Sequence, residues 1–175
     1  MSDKKVVVIY KSNTGFTRKY SEWISDALGC TAISLSEANS LKLNQYDIII
    51  FGGGMHAGKI NGIKFIKSNL STFKDKQVVI FATGGIAPIP EEVEKFRKNN
   101  IPENENLPFF YFQSGINYEK MKVTDKILMN IFKFTLKMSK SKSDIERGTE
   151  EAIKNSYDYS SWEQIEPLLK YVKSL

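Results

Sequence analysis

Four short runs of this chain are apolar almost without interruption: Val6-Val7-Val8-Ile9, Ile48-Ile49-Ile50-Phe51, Val78-Val79-Ile80-Phe81-Ala82 and Phe109-Phe110-Tyr111-Phe112. A strand with one wet face alternates apolar and polar residues, whereas an unbroken run suits a strand covered on both faces. Between the runs the period changes. Phe16, Tyr20, Trp23, Ile24, Ala27 and Leu28 recur at helical spacing, and Gly29 ends that helix. Ile63, Ile66, Leu70 and Phe73 mark a second helix, and a third starts near Glu91 with Val93 and Phe96 inward. With a short strand at Thr31–Leu35, the strands are Val6–Tyr10, Thr31–Leu35, Asp47–Phe51, Val78–Ala82 and Pro108–Gln113. Strands alternating with helices predict an α/β fold: a doubly wound, five-stranded parallel sheet in the order 2-1-3-4-5. The 175 residues suit one domain, 1–175. The last helix is expected near Ser161, with Ser161 and Gln164 as a capping box and Pro167 breaking or kinking its first turns.

Composition removes several functions. Cys30 is the only cysteine, which excludes a disulfide within the chain, a cysteine-held cluster and a dithiol redox pair. His56 is the only histidine, so no metal site is expected. The start, Met1-Ser2-Asp3-Lys4-Lys5, leads into a strand without a signal-peptide core, and no window approaches the ~18 apolar residues of a spanning helix. A reducing cytoplasm is the expected compartment.

In a doubly wound sheet the ligand lies beyond the carboxyl ends of the strands, where the strand order reverses between strands 1 and 3. Three loops meet there: Ser12–Thr17, Gly52–Gly62 and Thr83–Pro90. The first is a hydroxyl-rich turn between a strand and a helix start. Unpaired N–H groups and the helix dipole make such a turn an anion site, and Ser12, Thr14 and Thr17 add hydroxyl donors. It fits neither the nucleoside-triphosphate loop nor the dinucleotide fingerprint. Its alternative is an ordinary strand–helix turn.

The hydroxyl pattern resembles the phosphate loop of the flavodoxins, T/S-x-T-G-x-T, with Ser12, Thr14, Gly15 and Thr17 matching. The chain resembles flavodoxin-like proteins over its whole length, which implies FMN as cofactor. The resemblance places Ser12, Asn13, Thr14, Gly15, Phe16 and Thr17 around the phosphate. It sets Gly53, Gly54, Met55, His56, Ala57 and Gly58 on one side of the isoalloxazine, and Thr83, Gly84 and Gly85 on the other. A carbonyl beside flavin N5 must turn when that atom gains a proton, and Gly52, Gly53, Gly54 and Gly58 are the residues whose backbone tolerates it. Met55 lies against the ring or fills core; His56 donates to flavin or substrate, or is merely solvated. The Thr83–Pro90 loop lacks the tyrosine that stacks on flavin in many flavodoxins.

The second half is most similar to the menaquinone-dependent protoporphyrinogen dehydrogenases. The similarity rests on Asp125-Lys126-Ile127-Leu128-Met129, Leu136-Lys137-Met138-Ser139 and Ser161-Trp162-Glu163-Gln164, with a helical insertion at about 117–142. It implies a flavin oxidoreductase in heme biosynthesis, taking electrons from a porphyrinogen or another small reductant and passing them to a quinone. No catalytic acid or base is assigned. The alternative is a flavodoxin carrying electrons between redox partner proteins. Net charge is +5, and neither flavin loop carries an acidic residue. Little local negative charge opposes an anionic reduced flavin, so its potential is expected above that of an acidic shuttle.

On a helix over 121–142, Lys122, Lys126, Lys133, Lys137 and Lys140 share one stripe, and apolar residues fill most of the rest. That apolar arc is wider than one-sided packing needs. Contact with an anionic membrane, a dimer face, a lid over a porphyrin or quinone pocket, and a core helix with a wet lysine face all fit the pattern. Lysines without interleaved arginines, and no nucleic-acid motif, leave no nucleic-acid partner expected.

Overall fold

The computed structural model describes residues 4–38, 42–103, 105–138, 150 and 153–175. Its main chain runs β1 (Val6–Lys11), α1 (Phe16–Leu28), β2 (Thr31–Ser34), α2 (Leu35–Ala38), β3 (Ile48–His56) and β4 (Lys59–Ile60). Then come α3 (Lys64–Asn69), β5 (Gln77–Gly84), α4 (Pro90–Asn100), β6 (Phe109–Gln113) and β7 (Gly115–Ile116). It finishes with α5 (Val123–Met138), β8 (Tyr157–Asp158) and α6 (Glu166–Ser174).

The parallel strands lie in the order β2-β1-β3-β5-β6. Because β4 is only the return arm of a hairpin on β3, this is the expected 2-1-3-4-5 arrangement. The apolar runs are covered on both faces. Val7, Ile9, Ile49, Phe51, Val78 and Ile80 face one cluster, closed by Ile66 and Phe73 from the α3 region. Val8, Ile50, Val79, Phe81 and Phe112 face the other, closed by Tyr20 and Ile24 of α1 and Leu168 and Val172 of α6. Each large apolar side chain fully buried this way contributes about 1.5–3 kcal/mol.

Three expectations change. The Asp47–Phe51 strand does not stop at Phe51 but continues as β3 to His56, because Gly52 and Gly53 pair with both β1 and β5, and Gly54 with β5, instead of looping out. The second helix is regular only over Lys64–Asn69, and Phe73 is buried from the turn that follows. Ser161 and Gln164 do not form a capping box. Ser161 donates its N–H to the Tyr20 hydroxyl at 3.3 Å, and its own hydroxyl bonds Glu163. Gln164 reaches across to edge strand β6, accepting from the Gln113 N–H at 2.6 Å and donating to the Gln113 carbonyl at 3.2 Å. A side-chain amide thus takes the place of a further strand and covers part of an open sheet edge. The segment Trp162–Ile165 is a 3-10 turn, and Pro167 sits in the first turn of α6, where proline is tolerated.

The expected 121–142 helix is α5, Val123–Met138; residues 139–142 lie outside the described residues. It is not a core helix. Val123 is 73% exposed and Phe134 and Met138 are each 64% exposed, while Leu136 is buried. Among the described residues, no helix is long and apolar enough to cross a membrane.

Candidate functional site

The parallel register brings the three loops to one end of the sheet. β1 ends at Lys11, and Ser12–Gly15 turn the chain into α1. Gly15 takes φ 100° as the N-cap residue, which a side chain would resist. No side chain caps this helix, and its first turn holds no acidic residue. The Ser12 hydroxyl instead accepts the Gly15 N–H at 3.2 Å. Ser12, Thr14 and Phe16 are half-buried and Asn13 is exposed. Thr17 faces inward: it is buried, and its hydroxyl lies 2.8 Å from the Thr83 hydroxyl. That bond joins the first loop to the third. Gly54 lies between them, since a Cβ there would stand 3.3 Å from Thr17 Oγ1 and 3.9 Å from Thr83 Oγ1.

The second loop is a tight hairpin. His56 pairs with Lys59, leaving the two-residue turn Ala57-Gly58 with φ of 46° and 77°. Two positive φ values in succession make a type I′ turn, whose twist matches the strands it joins. Asn100, buried at the end of α4, fixes this turn. Its Oδ1 accepts the Ile60 N–H at 2.8 Å, and its Nδ2 donates to the Gly58 and Phe96 carbonyls, each at 2.9 Å. Among the glycines considered for a turning carbonyl, Gly52, Gly53 and Gly54 belong to the β3 ladder and only Gly58 has positive φ. Asn100 holds the Gly58 carbonyl, which leaves the Ala57–Gly58 peptide as the freer one. Met55 packs against the core cluster under the hairpin. His56 is exposed, and its Nε2 stands 3.4 Å from Asp125 Oδ1 of α5.

The third loop is held by tyrosines from elsewhere. Thr83 is buried; Gly84 and Gly85 are half-buried. Tyr111 of β6 donates to the Ile86 carbonyl at 2.8 Å, and Tyr157 of β8 donates to the Gly85 carbonyl at 3.2 Å. Burial pushes both phenols above their ordinary pKa, so both remain neutral donors at neutral pH. β8 is itself tied down. It pairs antiparallel with β7, and Asp158 accepts from Lys19 Nζ of α1 at 2.9 Å. Although burial opposes it, hydrogen bonds from Ser160 and Lys19 hold the Asp158 carboxyl below its ordinary pKa.

Asn100, Tyr111 and Tyr157 therefore support the loops without any local signal of doing so. Asn100 reads only as a helix-stop residue, and the tyrosines as strand formers. Their partners are distant in sequence, which periodicity cannot report.

The first loop fits the phosphate of FMN. Its helix N-terminus has no side-chain cap, no acidic residue, and hydroxyls beside it. The hairpin and the Thr83–Gly85 loop flank the same end of the sheet. A surface hollow of about 430 Å³ is lined by Trp162, Glu166, Leu169, Lys170, Lys173 and Ser174, none of them a residue of these loops. It is wide open, and the loop chemistry is the stronger guide to the site.

No curated protein matches the chain. Among solved structures, a flavodoxin, WrbA-like protein from Agrobacterium tumefaciens is 18% identical at TM-score 0.46, covering 70% of this chain and 88% of that one. A flavodoxin from the domain Archaea is 18% identical at TM-score 0.45, covering 86% and 99%. A flavoprotein in complex with FMN from Lactobacillus acidophilus NCFM is 18% identical at TM-score 0.42, covering 63% and 92%. The flavodoxin domain model matches residues 7–146, from β1 through all three loops and beyond α5. The chain belongs to the flavodoxin domain family, whose cofactor is FMN.

Proposed function

We propose that this protein is an FMN oxidoreductase of the protoporphyrinogen dehydrogenase type, which takes electrons from a porphyrinogen-like reductant and delivers them to a membrane quinone. When bound, FMN supplies the two-electron chemistry between the two. The protein's part is to hold and orient it. Ser12, Thr14 and the first N–H groups of α1, which carries no side-chain cap, would hold the phosphate. Asn100 fixes the hairpin on one side, and Tyr111 and Tyr157 fix the Gly85 and Ile86 carbonyls on the other.

The observation that carries this reading is α5. Its N-terminal turn reaches the hairpin through Asp125 and His56, while Val123, Ile127, Ile131, Phe134 and Met138 stay in solvent. At 100° per residue these five share one face, and Lys126, Lys133 and Lys137 run along its edge. An apolar face edged with lysines suits the surface of an anionic bilayer, where a quinone is met. Lys133 Nζ also lies 4.4 Å over the Tyr118 ring, which ties the lysine edge to the domain.

Changing Lys126, Lys133 and Lys137 to Glu is expected to release the protein from anionic vesicles, each lysine contributing about 1 kcal/mol of attraction. Fold and FMN binding should survive, because half-wet side chains contribute little to stability. Vesicle cosedimentation at low and physiological salt is the test, followed by porphyrinogen-driven reduction of a quinone in the vesicles. Wild-type protein that stays in the supernatant at both salts removes the membrane reading. Reduction of a soluble redox protein, with no quinone turnover, favours the carrier.

A further inference from the structure

We propose that Lys120 is a cationic phosphate ligand, brought to the first loop by the turn that follows β7; this rests on the FMN reading above. Residues Ser12–Thr17 are rich in hydroxyls and amides but include no cation. Arg18 is paired with Glu22 at 2.7 Å. Lys19 is paired with Asp158 at 2.9 Å and lies 5.1 Å over the Trp23 ring. Lys120 has no ion pair among the described residues. Its ammonium is 3.8 Å from the point a Cβ on Gly15 would occupy, the nearest atom among the described residues outside the immediate chain neighbours.

The position follows from the local chain. Beyond β6, Ser114 donates its N–H to the Gly84 carbonyl at 2.7 Å, which carries the backbone across the carboxyl end of the sheet. β7 then pairs with β8, and β8 is anchored to α1 through Asp158 and Lys19. Asn117 follows at once. Its side-chain oxygen accepts the Lys120 N–H at 3.0 Å, and the Tyr118 N–H donates to the Ser156 hydroxyl at 3.0 Å. This side-chain bond, reaching three residues on, fixes the backbone of residue 120, and the flexible stem takes the charge to Gly15. An ammonium beside a helix N-terminus faces the positive end of the dipole, an unfavourable arrangement unless an anion lies between them. A phosphate dianion on the loop amides relieves that repulsion and gains a charge-assisted bond.

The test measures FMN and riboflavin affinity side by side by flavin fluorescence quenching, for wild type, Lys120→Gln and Lys120→Arg. Riboflavin has the same ring system without the phosphate. Lys120→Gln is expected to weaken FMN about tenfold, the loss of one charge-assisted bond, with riboflavin nearly unchanged. Lys120→Arg should retain most of the FMN affinity, and added salt should weaken wild type more than Lys120→Gln. Equal loss of FMN and riboflavin in Lys120→Gln would mean a damaged turn and would overturn the proposal. So would unchanged FMN affinity in a wild-type protein that prefers FMN to riboflavin, a result that leaves the cofactor reading standing. A wild-type protein that binds neither flavin overturns both.

Discussion

Gly52→Ala is expected to cost on the order of 2–3 kcal/mol of stability, although it adds only one methyl group. A Cβ at position 52 would stand 2.0 Å from Phe81 Cζ and 2.5 Å from Cε1. Neither side can give way easily. Gly52 pairs with Tyr10 on one side and Phe81 on the other, so its backbone is fixed in the centre of the sheet. The Phe81 ring is fully buried and packs on Phe112 at 5.3 Å between centroids. The collision is with a ring, which suggests the control. Phe81→Leu makes room, so the double variant should be more stable than the sum of the two single losses predicts. Denaturant unfolding of the four proteins measures this. Additive losses would mean that the ring is not what requires glycine at position 52.

Asn100→Ala should also be severe, at about 2–4 kcal/mol, from one or two buried groups left unpaired at about 1–3 kcal/mol each. The side chain is 1% exposed and makes three hydrogen bonds, two of them to the hairpin. The Ile60 N–H would lose its acceptor inside the core, and the Gly58 carbonyl its donor. The strained Ala57-Gly58 turn would then lack its outside support, so faster FMN release is expected along with lower stability. Asn99→Ala, one residue earlier and exposed, should stay within about 0.5 kcal/mol of wild type. If the two variants behave alike, the hairpin does not depend on Asn100.

These two positions also separate what the sequence reveals from what it hides. The strand order was legible because buried parallel strands need unbroken apolar runs, and Val78–Ala82 or Ile48–Phe51 admit little else. Helix α1 was legible to the residue: Phe16 opens it and Gly29, at φ 62°, closes it. The glycines after Phe51 were misread as loop. Glycine reports freedom when read locally, but here Gly52 reports the close approach of a ring from another strand. The Ser161–Gln164 pair was misread for the same reason. Its spacing suits a capping box, and only the fold shows that Gln113 on the sheet edge competes for the amide. That the three loops meet at one end of the sheet was legible because they follow strands at a switch point. Their supports were not: Tyr157 reaches Gly85 across 72 positions and Asn100 reaches Gly58 across 42. The exposure of α5 was half legible. Its apolar arc was visibly too wide, but which side the domain leaves bare required the structure.

FMN binding and its reduction are tested together by the visible absorption spectrum of freshly purified protein, with the released cofactor identified by chromatography. The spectrum should show the two bands of an oxidised flavin and the cofactor should be stoichiometric FMN, bleached by a porphyrinogen under nitrogen and restored by a menaquinone analogue. A colourless protein that takes up no added FMN would rule out FMN as the cofactor. Bound FMN that no porphyrinogen bleaches would keep the cofactor and remove the substrate.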